Sequence, residues 1–96
     1  MAAMKLTNPP LLLRLYVAGN APNSVLAIAN ARTICAEHFA SRHELEIVDL
    51  LEEPRRALDD SIVVTPTLLK LAPLPTARLV GTLNDTNQVL QILAGR

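Results

Sequence analysis

The chain has 96 residues, half of them hydrophobic, with nine basic and nine acidic side chains and no net formal charge. That length suits one domain with a small core. Balanced charge, with one Phe, one Tyr and no Trp, argues against nucleic-acid binding, which uses a cationic face and aromatic stacking platforms, and no stretch approaches the ~20 apolar residues of a membrane helix.

Residues 1–10 have no hydrophobic period and end in Pro9 and Pro10. They read as a flexible tail ahead of a single domain over residues 11–96. The first apolar run is short and is interrupted by Arg14, so no signal peptide is expected and a cytoplasmic location follows.

Residues 11–17 (LLLRLYV) read as a strand. Leu11, Leu13, Leu15 and Val17 point one way, and Leu12, Arg14 and Tyr16 the other. Apolar groups on both sides place such a strand inside a covered sheet. Gly19 and Asn20 suit a sharp turn. Pro22, Asn23 and Ser24 suit a helix start.

A helix is expected over residues 23–40, with Val25, Ile28, Cys35 and Phe39 on one side and Ala31 between them. Cys35, the sole cysteine, excludes an internal disulfide and a cysteine-based metal cluster. It reads as a small buried hydrophobe. A reactive thiol would need exposure and a cationic neighbour, and Arg32 only flanks the stripe. A second strand is expected over 44–50, parallel to the first across the helix. His38 and His43, near the helix end, read as surface residues with no metal-ligand spacing.

Glu52, Glu53 and Pro54 open a short polar helix over 54–60. Ile62, Val63 and Val64 are strand-like and lead through Thr65, Pro66 and Thr67 into a run at 68–71. A proline there marks either an edge or a bend with a cis peptide. Lys70, the only charge in that run, reads as a solvated lysine on an edge strand. After the rigid Pro73-Leu74-Pro75 turn, residues 77–80 form another strand. Asn84 and Asp85 are candidate N-caps. Thr86, Val89, Leu90 and Leu93 repeat at helical spacing, and Gly95 falls where a terminating glycine belongs.

The element order is α/β and thioredoxin-like, βαβαββα. In redox members of that fold the first strand-to-helix turn carries a CxxC. Here the turn over 19–24 has no cysteine, so disulfide exchange lacks its nucleophile.

Three stretches carry a more specific resemblance: LYVAGNAPNS at 15–24, IVDLLEEP at 47–54 and TPTLLKLAPLPTARLVGTL at 65–83. Together they resemble the KaiB family of circadian clock proteins, over residues 12–93. The resemblance implies a non-enzymatic protein, without metal or cofactor, that binds a KaiC-like ATPase and modulates its phosphorylation cycle. KaiA or a sensor kinase would be further partners. It also implies two folds: a thioredoxin-like monomer and a resting form, βαββααβ, that assembles as a homotetramer. Clock-type relatives tend to carry Gly and Asp where this chain has Ile92 and Ala94. Replacing a helix-interior Gly gains up to about 1 kcal/mol for the helical form, so the thioredoxin-like monomer is expected here. Partner contacts are expected at Asn20, Asn23, Lys70, Arg78 and the 52–60 segment, with Gly19 and Pro66 structural. The alternative is a divergent thioredoxin-like domain with a redox or stress-related role through Cys35.

Overall fold

The computed structural model describes residues 10–95, so the expected tail lies outside the described residues except for an exposed Pro10. The element order is β1 (Leu11–Val17), α1 (Pro22–His38), β2 (His43–Asp49), α2 (Arg56–Asp59), β3 (Thr67–Ala72), β4 (Ala77–Val80) and α3 (Thr86–Leu93). This is the thioredoxin-like βαβαββα order, not the resting arrangement. The strands form one sheet in the order β2-β1-β3-β4.

β1 lies inside the sheet because both of its faces are apolar enough to be covered. It pairs in parallel with β2, from Leu11 opposite His43 to Val17 opposite Asp49. It pairs antiparallel with β3, where Tyr16 faces Thr67 and Leu15 faces Leu68. β3 continues antiparallel into β4, with Lys70 opposite Ala77.

The two faces of the sheet carry separate apolar clusters. Leu11, Leu13, Leu15 and Val17 of β1 join Leu68 and the buried sides of α1 and α3 in the larger one. On the opposite face Tyr16, Val48, Ile62 and Leu69 form the smaller, with Leu50, Ala57 and Leu71 packed on it. The alternation expected of β1 therefore holds.

Three expectations need correction. The buried stripe of α1 is Ser24, Ala27, Ala31, Ile34 and Cys35, whereas Val25 is 51% exposed. Small residues let this side of the helix approach the sheet closely. Ser24 also fixes the rotation, because its Oγ accepts the Ala18 N–H at 3.0 Å. Lys70 is 2% exposed, because β3 has a neighbour on each side and is not an edge. Val63 and Val64, expected to be strand-like, lie in a loop and are exposed.

Pro66 is buried and its peptide bond with Thr65 is cis. Its carbonyl accepts the Gly81 N–H at 3.0 Å, closing one end of the β3–β4 pair. At the start of α3 the Asp85 carboxylate accepts the Gln88 N–H at 3.2 Å, an N-cap. Val89 and Leu93 are the buried residues of that helix.

Candidate functional site

The turn between β1 and α1 is built from its backbone outward. Gly19 has φ +52°, and a Cβ there would come 2.6 Å from Leu51 Cδ1, so glycine serves both the left-handed backbone and the close approach. Its N–H donates to Asp49 Oδ1 at 2.9 Å. The same carboxylate oxygen accepts the Leu51 N–H at 2.9 Å. One acidic side chain thus ties together the two turns that leave the parallel strands. Asn20 and Asn23 stand exposed on this end of the sheet.

The segment after β2 carries large apolar side chains in water. Leu51 is 70% exposed, Leu58 81% and Val63 89%, with Val64 and Val80 also exposed. Isolated surface hydrophobes are ordinary, whereas a large contiguous apolar patch marks an interaction surface. Of the eight large hydrophobics exposed among the described residues, four fall within residues 51–64, the others being Val25, Leu26, Leu74 and Val80.

That segment is fastened to the sheet by polar groups. Arg14 donates to Glu46 Oε1 at 2.7 Å and to Asp60 Oδ2 at 2.9 Å. The Tyr16 hydroxyl donates to Asp60 Oδ2 at 2.7 Å and has the Arg56 carbonyl 3.1 Å away as a second acceptor. Arg56 reaches Glu46 Oε2 at 3.0 Å. From β4, Arg78 donates to the Asp60 carbonyl at 2.7 Å and the Ser61 carbonyl at 3.3 Å.

The electrostatics follow from these bonds. The Tyr16 hydroxyl, and after it Arg14, hold the Asp60 carboxyl below its usual range, against an opposing effect of burial. Hydrogen bonds from Arg14 and then Arg56 do the same for Glu46. Burial, with Asp60 beside it, pushes the Tyr16 phenol up. Burial also pushes the Cys35 thiol up, the opposite of what a nucleophilic thiolate needs.

Of the expected contacts, Arg78 meets the 52–60 segment at the Asp60 carbonyl, but Asn20, Asn23 and Lys70 do not join them. Asn20 lies in the turn and Asn23 in the first turn of α1. Arg78 lies on the face that carries α2, occupied with carbonyls there. Lys70 lies on the other face: a Cβ built at Gly95 would be 3.5 Å from its ammonium nitrogen. That puts the charge at the carboxyl end of α3, where a cation is favourable. Asp60 lies at the end of the 52–60 segment expected to touch a partner, whereas Arg14, Tyr16 and Glu46 are not among the expected site residues. The available signal was Arg14 and Tyr16 alternating on the second face of β1, but nothing local named their partners. Among the described residues no three His, Cys, Asp or Glu side chains are grouped so as to hold a metal ion, and no helix is long and apolar enough to cross a membrane.

A family model described as the KaiB domain matches residues 14–94. The chain is 45% identical over 80 residues to the circadian clock protein KaiB3 of Synechocystis sp., covering 83% of this chain and 78% of that protein. It is 44% identical over 79 residues to the circadian clock oscillator protein KaiB of Synechococcus elongatus, covering 82% and 78%. Among solved structures, the N-terminal domain of Synechococcus elongatus SasA superposes with a TM-score of 0.74 at 30% identity, covering 94% of this chain and 89% of that one. The Drosophila melanogaster thioredoxin Deadhead superposes with a TM-score of 0.71 at 13% identity, covering 96% and 86%. At that identity the likeness concerns the fold alone.

Proposed function

The chain belongs to the KaiB family, and from that premise we propose that it is a non-enzymatic clock protein that docks on a KaiC-type ATPase and modulates its phosphorylation cycle. The observation that carries the reading is the exposed apolar surface of Leu51, Leu58, Val63 and Val64 on a segment bonded to the sheet. Exposed hydrophobes of this size on a fastened support bind another protein at low ordering cost. Asn20, on the turn that Asp49 ties to Leu51, and Asn23, at the start of α1, supply polar contacts at the rim. Arg78 acts through the carbonyls it holds. Lys70, being buried, serves the end of α3 and offers little surface to a partner.

In this reading the thioredoxin-like monomer is the binding-competent form, in the cytoplasm. KaiA or a sensor kinase compete for or join the complex. The half of the chain after Leu50 is the part that re-pairs in a resting homotetramer. Ile92 in place of Gly and Ala94 in place of Asp, each the better helix former, bias the equilibrium toward the form described.

Pull-down of a KaiC-type ATPase from the same source, with and without nucleotide, tests the proposal. Nucleotide-dependent, saturable capture is expected. Absence of capture in every nucleotide state would end it.

A further inference from the structure

α2 is a single turn of four residues and buries none of its side chains completely. A helix that short has no stability of its own. Apolar packing gives it only Ala57, half-buried against the smaller cluster, and Ile62 just beyond its end. Its position must therefore come from something else.

Arg56 contributes a bond to Glu46 of β2 at 3.0 Å, but most of the polar attachments converge on one residue. Asp60 ends the helix, and its carboxylate is gripped from β1 by Arg14 at 2.9 Å and Tyr16 at 2.7 Å. Its carbonyl is gripped from β4 by Arg78 at 2.7 Å. The next residue, Ser61, has φ 55°, a left-handed conformation rare for a non-glycine residue, and Arg78 holds its carbonyl too. Leu58 stands two residues before this clamp, and Val63 and Val64 three and four residues after it. Two strands that are not neighbours in the sheet thus meet on one aspartate, across the width of the β1–β3–β4 ladder.

We propose that Asp60 is the positioning residue of the docking surface, fixing where α2 and the Val63–Val64 loop stand relative to the sheet. The inference rests on the docking role proposed above and adds its control. Affinity depends on the Arg14–Asp60–Arg78 clamp as well as on the apolar side chains that touch the partner. A residue that only contributed to overall stability would not act this way. Its loss would lower protection everywhere in proportion and leave the affinity of the folded fraction unchanged.

The test uses the full chain with Asp60→Asn, which keeps an acceptor for Tyr16 but loses the charge facing Arg14, and with Arg14→Gln as the milder partner variant. Amide hydrogen exchange is read at residues 55–64 and, as an internal control, at β1 and β3. Affinity for a KaiC-type ATPase ring is read in parallel. Expected are faster exchange confined to residues 55–64, affinity about tenfold weaker for Asp60→Asn, and a double variant less impaired than the two single losses combined. Unchanged exchange at 55–64, exchange rising equally in β1 and β3, or full affinity despite local loosening would each overturn the proposal. Failure of the unaltered chain to bind the ring counts instead against the docking role. The exchange comparison still decides whether Asp60 fixes the segment.

Discussion

The two faces of the sheet are held by different physics. The face under α1 and α3 is packed with aliphatic side chains, Leu13, Leu15, Leu68, Val89 and Leu93 among them, and its attachment is non-directional burial. The face under α2 has a cluster of four buried residues and relies on Arg14, Glu46, Arg56, Asp60 and Arg78. The first arrangement tolerates changes of pH and salt. The second is directional and responds to both. With the docking segment proposed for the second face, such a support can be tuned without melting the core.

The contrast is broken most severely from the packed side. Leu15 has no exposed surface, so Leu15→Ala should cost about 3 kcal/mol through lost burial and an unfilled cavity. Urea unfolding followed by far-ultraviolet circular dichroism measures this, and all elements should melt together. Tyr16→Phe probes the other face. It removes the hydroxyl that Asp60 accepts and should cost about 1.5 kcal/mol, with the loss of exchange protection concentrated at α2.

The cap of α3 offers an intermediate case. Asp85→Ala removes the acceptor for the Gln88 N–H and should cost about 1 kcal/mol, seen as a lower thermal midpoint. Acid should separate the faces without any mutation. Asp60 and Glu46 have folded-state pKa values below their unfolded ones. Their contribution is complete above the unfolded carboxylate values of about 4 and is lost as pH falls through the folded ones. Amide spectra recorded on acidification should therefore show α2 shifting before β1 and β3. The smallest effect on stability belongs to Val63→Ser. An exposed site of this kind should change unfolding by no more than about 0.5 kcal/mol, while affinity for the ATPase falls.

Much of this architecture is readable in the chain. The double-sided run Leu11–Val17 announces an inner strand, the Gly19–Asn20 turn and Pro22 announce the helix start, and the stripe of α3 with Asp85 before it announces the last helix. What escapes is whatever depends on distant partners. Arg14 meets Glu46 and Asp60 across separations of 32 and 46 residues, which no local pattern encodes. Lys70 reads as an edge residue because strand order, not strand sequence, decides what flanks it. Val25 reads as buried because alanines on several sides of α1 leave the rotation of the helix open, and Ser24 settles it through a bond to Ala18. Asn20 and Asn23 were legible as an exposed turn, but the apolar segment beside them reads locally as a short polar helix and a strand. Its exposure follows from the single turn that α2 manages to form.

The most direct test is hydrogen exchange on the complex of the unaltered chain with a nucleotide-loaded KaiC-type ring. New protection is expected at residues 50–64 and at residues 19–23, with α1 beyond its first turn unchanged. Protection appearing instead over α1 and α3, or no complex at all, would contradict the docking proposal.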